Sequence, residues 1–220
     1  MSTGTISDWV IRNHRHYVVV NKPAGLAVQS ADDEQMSLEQ VLSAYTKCSL
    51  YPVHRIDQPV SGLVIFGKNG TVAGQIATAL ANDDTVKRYL ALVAKVPDLP
   101  PSRELKHYLR KRGSKTTIST SDDKLAKKAV LQYKLHGDLD RYHVLEVMLR
   151  TGRYHQIRAQ LAAEGLHIQG DVKYGARRGN KDRSISLHAY QLAYKDPVSG
   201  DPITFEAPLP ETGLWSHVSV

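Results

Sequence analysis

The densest polar segment of this chain is His54-Arg55-Ile56-Asp57-Gln58-Pro59-Val60-Ser61, and it runs directly into the apolar stretch Gly62-Leu63-Val64-Ile65-Phe66-Gly67 and then Lys68. A turn-forming stretch with one acid, set against a buried strand, holds a carboxylate on a rigid element at the rim of a core. A nucleophile or base can be pre-organised there. Most aspartates in such places are turn or cap residues, so the segment alone does not establish a catalyst. Two other chemistries use comparable residues. His-Arg-x-Asp has a faint likeness to the catalytic loop of protein kinases, but that loop places Asp directly after Arg and an Asn further on. Here Ile56 intervenes, position 62 is Gly, and the chain has neither a Gly-rich phosphate loop nor Asp-Phe-Gly. A metal hydrolase built on His54, Asp57 and His155 fits no known ligand spacing.

The elements that must position these residues are legible in outline. His16–Asn21 reads as a strand, followed by the Lys22-Pro23-Ala24-Gly25 turn. Ser37 and Gln40 have capping-box spacing, which starts a helix near Ser37. Residues 62–67 read as a short buried strand, and 71–82 carry helical periodicity, with Ile76, Ala79 and Leu80 on one face. Residues 89–96 are strand-like, 115–120 and 129–135 are expected to form a hairpin, and 144–149 form a further strand. Residues 154–164 read as a helix closed by Gly165 in a left-handed cap. Strands near 185–193 and 202–206 flank a turn at 196–200. Strands in excess, with a few helices in no regular alternation, predict an α+β fold with a mixed, mostly antiparallel sheet.

The length, 220 residues, suits a single domain with a real core, and 41% hydrophobic with 23% charged residues reads as soluble and globular. No apolar run reaches the roughly 18 residues needed to span a bilayer. The first residues lack a signal-peptide core. The expected location is the cytoplasm. The lone cysteine, Cys48, cannot form an intrachain disulfide and is expected to be an inert helix residue.

The net charge of +7 and the pI near 9.4 favour polyanions. Residues 103–128 hold nine Lys or Arg against three acids, a local balance of +6, so nearly all of the excess is expected here. This stretch is either a loop or hairpin that grips a phosphate backbone or a solvated surface.

The block from His54 to Lys68 resembles the catalytic motif of the RluA-type pseudouridine synthases, written HRLDxxTSGLLLFAK. Further blocks follow in that family's order. Lys22-Pro23-Ala24-Gly25-Leu26-Ala27-Val28 resembles KPxGLxV, Lys87-Arg88-Tyr89-Leu90-Ala91 resembles K-x-Y-x-A, and Thr151-Gly152-Arg153-Tyr154-His155-Gln156-Ile157-Arg158 resembles TGRxHQIR. Leu187-His188-Ala189 and Ala207-Pro208-Leu209-Pro210 also fit, so the likeness runs from residue 17 to 210. Val60 stands where Thr is commonest, and His167 where Pro is commonest before the Ile of PIxGD. The His-Arg-Ile-Asp form points away from the RsuA branch.

The resemblance implies an RNA pseudouridine synthase, residues 1–220 forming one catalytic domain with an active-site cleft. It leaves no room for a further RNA-binding domain before residue 17. It implies Asp57 as the catalytic carboxylate, Arg158 as the arginine paired with it, Tyr89 as the active-site tyrosine and Ile168 as an apolar residue closing over the base. His54 is expected to be a substrate-binding residue, Arg55 to contact phosphate or help hold the flipped nucleotide out, and Lys111, Arg112 and Lys115 to grip RNA. His155 is expected to be a structural hydrogen-bonder. The reaction breaks the ribose–N1 bond, rotates the uracil and rejoins it through C5, so atoms are conserved and neither cofactor nor metal is called for. Attack at C6, capture of the ribose carbon and proton removal to a glycal would each use an aspartate. The expected partner is structured ribosomal or transfer RNA, with no membrane, and the protein is expected to be a monomer. The competing reading from another class is a non-catalytic RNA-binding or RNA-folding module on the same scaffold.

Overall fold

The computed structural model describes residues 5–30 and 36–219. The first four residues of the stretch read above for a leader lie outside them. In chain order the elements are α1 (Ile6–Trp9), β1 (Val10–Asn13), β2 (Tyr17–Lys22), α2 (Leu38–Thr46), β3 (Tyr51–Pro52), β4 (Ser61–Gly67), α3 (Gly70–Ala79), β5 (Val86–Ala94), β6 (Ser102–Arg112), β7 (Lys115–Ser119), β8 (Lys127–Asp138), β9 (Tyr142–Leu149), α4 (Gln156–Ala163), β10 (Leu187–Lys195) and β11 (Pro202–Glu206), with 3-10 turns at Val172–Tyr174 and Gly213–His217. The α+β class with mostly antiparallel strands is as the sequence predicts. Two compact units are present, one of residues 1–86 and 188–210, the other of residues 87–187 and 211–220.

In the first unit β4 is central and every residue of it is buried. It pairs antiparallel with β2 and β3 and parallel with β10, while β1 extends the sheet from β2 and β11 from β10. A strand covered on both faces must be apolar throughout, which is why 62–67 reads as a continuous run rather than an alternation. Gly62 makes the close approach possible. Its φ is +115°, and a Cβ there would lie 2.2 Å from the Ala189 carbonyl oxygen. Helix α3 lays Val72 and Ile76 on a core of Tyr17, Val19, Leu63, Ile65, Leu192 and Phe205. Helix α2 is capped as its sequence predicts, Ser37 Oγ accepting from Gln40 N while Gln40 Oε1 accepts from Ser37 N, and at the start of α3 Asn69 Oδ1 accepts from Val72 N. Cys48 departs from expectation. Lys47 enters the left-handed region at φ +56° and ends α2, so Cys48 lies just past the helix and is half-buried.

The second unit is an antiparallel sheet in the order β5–β9–β8–β6–β7. The expected hairpin of 115–120 with 129–135 is wrong in its pairing. β7 turns back on β6 through Gly113 and Ser114, and β8 lies along the other edge of β6. The long strand β6 was not foreseen, because its buried Leu105 and Leu109 are interleaved with basic residues. Helix α4 crosses one face of this sheet, where Gln160 Nε2 donates to the carbonyls of Leu105 and Ala129. Gly165, at φ +75°, follows it as expected.

Candidate active site

Asp57 opens a tight turn in which Val60 N donates to the Asp57 carbonyl (3.0 Å), and β4 begins at the next residue. The turn is stapled to the loop after β2. Gly25 N donates to the Gln58 carbonyl (2.8 Å) and Gln58 Nε2 returns a bond to the Gly25 carbonyl (3.0 Å). Lys22 completes the staple. Its ammonium is buried and donates to the carbonyls of Pro23 (2.9 Å), Leu26 (2.8 Å) and Gln58 (3.1 Å). Burial pushes this lysine down to about 7, and the negative Asp57 nearby opposes that shift. Three carbonyl acceptors match the three donors of the ammonium form and so favour its charge. Sequence reading placed Lys22 in a motif but gave it no task; a lysine immediately before Pro-Ala-Gly was the available signal.

His54 and Arg55 lie in the segment leading to Asp57. His54 Nε2 accepts from Ile65 N of β4 (3.3 Å), so the ring is engaged with the strand that carries the turn. Arg55 is exposed. Beyond the turn, Ser61 Oγ and His188 Nδ1 are 2.8 Å apart and His188 Nε2 is 3.3 Å from the Ala207 carbonyl, all buried. Burial holds His188 down at about 4 against an ordinary 6.5, so the ring is neutral at neutral pH. The unfolded chain then binds this proton more readily than the folded one, and stability present above pH 6.5 is lost as pH falls towards 4. Chemical denaturation across this window is expected to show a loss of roughly 3 kcal/mol from this group. A His188→Gln variant is expected to have a flatter profile; an unchanged profile would assign the loss to other groups.

In the second unit Tyr89 sits on β5 opposite Val147 of β9 and is half-buried. Strand alternation puts its side chain on the face shared by Tyr133 and Leu131 of β8 and Leu105 of β6, the face crossed by α4. Ile168 is buried and bridges antiparallel to Val93 of the same β5. Arg158 is a buried residue of α4, 5% exposed, and its fork grips Asp171, itself 1% exposed: Nε to Oδ2 is 2.7 Å and Nη2 to Oδ1 is 2.8 Å. The family resemblance pairs Arg158 with Asp57 and assigns no role to Asp171. This acid follows Gly170 in the motif whose first position is His167, and only the fold shows its partner. The Asp171 bonds use part of the guanidinium's donor set.

Aromatic packing fixes this pair further. The Arg158 guanidinium lies 4.9 Å from the centre of the Tyr174 ring. Tyr174 Oη accepts from Thr116 N (2.8 Å) and is 2.9 Å from His155 Nδ1. The His155 ring stacks on Tyr154 at 3.9 Å. Lys111 and Lys115 also meet this cluster, Nζ lying 4.8 Å from the Tyr154 ring centre and 5.2 Å from that of Tyr174. Arg112 is exposed at the β6–β7 turn. Among the described residues no group of three His, Cys, Asp or Glu side chains converges as a metal site requires, and no helix is long and apolar enough to cross a membrane.

Residues 16–163 match the family described as RNA pseudouridylate synthase. The ribosomal large subunit pseudouridine synthase C of Rickettsia prowazekii (strain Madrid E) is 30% identical over 215 residues, covering 93% of this chain and 69% of that protein. The tRNA pseudouridine synthase C of Vibrio cholerae serotype O1 is 28% identical over 237 residues, covering 94% of each. The solved structure of human RNA pseudouridylate synthase domain containing 4 shares the fold, with a TM-score of 0.76 at 24% identity over 93% of this chain and 90% of that one. Motifs, fold and relatives define an isomerase that acts on RNA. The chain belongs to the RNA pseudouridylate synthase family.

Proposed function

We propose that this protein converts a specific uridine of ribosomal or transfer RNA to pseudouridine, with Asp57 as the catalytic carboxylate. The observation that carries the assignment is the Lys22 staple. A buried ammonium and paired backbone bonds fix the Asp57 turn against a fully buried strand. A reacting group held on so rigid a support needs little reorganisation when the bond breaks.

The target nucleotide leaves its stack to enter the site, at a cost of a few kcal/mol offset by stacking and phosphate contacts. The Asp57 carboxylate then drives cleavage of the ribose–N1 bond. The freed uracil turns, C5 bonds to the ribose carbon, C5 loses its proton and N1 gains one, so no electrons are exchanged with any other molecule. Tyr89 stacks on the base, Ile168 closes over it, and Arg158 holds the charge of Asp57. His54 and Arg55 steady the extruded nucleotide, and Lys111, Arg112 and Lys115 hold its phosphates. Residues 1–220 act as a single catalytic domain, as a monomer in the cytoplasm.

Pseudouridine mapping of total cellular RNA tests the reading, comparing wild type, a deletion, and the deletion carrying Asp57→Ala. A uridine that loses its modification in the deletion, recovers with the wild-type gene and fails to recover with Asp57→Ala names the substrate and establishes the role. If no uridine changes while the purified protein still binds RNA, the reading gives way to an RNA-folding module.

A further inference from the structure

A second basic segment lies outside the 103–128 stretch. Residues 173–183 carry Lys173, Arg177, Arg178, Lys181 and Arg183 against one acid, Asp182, and all six are exposed. With both segments set aside, the rest of the chain is net acidic although the whole carries +7. The expectation that 103–128 holds nearly all of the excess is therefore incomplete. Positive charge is gathered into two segments, and a solvated surface with no ligand gives no reason for that distribution.

The 173–183 loop is built rather than loose. Asn180 exchanges side-chain bonds with Gln169, and its Nδ2 donates to Ser184 Oγ (3.1 Å). Ser186 Oγ also donates to Gln169 Oε1, while Ser186 N donates to the Gln169 carbonyl (2.8 Å). Asp182 Oδ1 accepts from Ser184 N (3.0 Å) and Oγ (2.7 Å), so the one acid of the loop is occupied in shaping it. Gly170, at φ +86°, lets the loop close: a Cβ there would lie 2.7 Å from the Ser184 carbonyl oxygen. The polar side chains form the scaffold and the cations face outward.

The loop also joins the first basic segment. Lys173 Nζ donates to the Ser114 carbonyl at the β6–β7 turn (3.1 Å), and Lys115 of that turn lies over Tyr174. Tyr174 and Thr116 are bonded through backbone and hydroxyl. We propose that Arg177, Arg178 and Lys181 form a second phosphate-binding arm for the RNA substrate, continuous with the Lys111, Arg112 and Lys115 arm through Tyr174. The inference rests on the RNA-modifying reading and adds a binding surface to it. Two linked arms span several phosphates of a folded RNA. Because side-chain hydrogen bonds of Gln169, Asn180, Asp182 and Ser184 already fix the loop's shape, binding pays little conformational entropy.

The experiment compares wild type with the triple variant Arg177→Gln, Arg178→Gln, Lys181→Gln. A control triple, Lys134→Gln, Arg141→Gln, Lys195→Gln, removes the same charge from exposed positions elsewhere. The probe is a fluorescently labelled RNA stem-loop, titrated by anisotropy from about 50 to about 200 mM salt. The arm variant is expected to bind about tenfold or more weakly, with the slope of log affinity against log salt reduced by about two, the signature of lost phosphate contacts. The control is expected to stay near wild type, and all three proteins to melt alike. Unchanged affinity and slope in the arm variant would overturn the proposal, as would a control that shifts equally, since that would be an effect of net charge. Pseudouridine formation by wild type on RNA from cells lacking the protein is read separately. If wild type modifies uridine and the arm variant binds normally, only the arm is wrong. If wild type modifies none, the enzymatic reading fails whatever the arm shows.

Discussion

Replacing Asp57 by asparagine is expected to abolish pseudouridine formation, lowering the single-turnover rate by at least about a thousandfold, while RNA affinity stays within a few-fold of wild type. The substitution is nearly isosteric. The turn is closed by the Asp57 backbone carbonyl and by bonds to Gln58, none of which uses the carboxylate. Its supporting strand is buried throughout, so the fold is expected to survive. The amide, however, cannot attack carbon, take a proton or balance positive charge on ribose. Because C5 loses its hydrogen when the new bond forms, release of tritium from C5-labelled uridine RNA measures the reaction directly. A rate within tenfold of wild type would sink the assignment and make Asp57 a structural turn residue.

Asp171→Ala is expected to give the largest loss of stability, about 3–5 kcal/mol, by removing the buried carboxylate that engages two donors of the Arg158 guanidinium. At roughly 2–4 °C per kcal/mol for a chain of this size, the melting temperature falls by about 10 °C. The argument rests on burial and geometry together. Both side chains are almost wholly excluded from water, and both carboxylate oxygens are engaged by the fork at 2.7 and 2.8 Å. Activity is expected to fall as well, because Arg158 is then free to leave the orientation that Asp171 and the Tyr174 ring impose. Stability and function can be separated. The double variant Arg158→Met, Asp171→Leu replaces the ion pair by apolar groups of similar volume and is expected to recover most of the melting temperature. Tritium release is expected to remain lost. Recovery of both would show that the pair serves folding alone. An Asp171→Ala protein as stable as wild type would show that the guanidinium does not depend on its partner.

Much of the molecule was legible before any coordinates. The buried strand β4 announced itself because a strand covered on both faces is apolar at every position. Helix α2 was readable from the Ser37–Gln40 capping box and α3 from its apolar period, since both signals act within a few residues of sequence. The order of motifs, and with it the family, was also in the sequence, because chemistry constrains residue types at fixed spacing.

Tertiary structure alone decided the partners. Strand β6 was hidden because its solvated positions are filled with basic residues and only Leu105 and Leu109 mark its inner face; the pairing of its other edge with the distant β8 exists only in the folded sheet. Cys48 fell outside its helix because Lys47 takes the left-handed conformation, which no apolar period encodes. The task of Lys22 depends on carbonyls at Pro23, Leu26 and the distant Gln58, and that of Asp171 on a guanidinium on a different element. Local propensity and periodicity act over a few residues and can be read along the chain. The enclosure that fixes which charge meets which acceptor is made by segments far apart in sequence, and it exists only once they have packed.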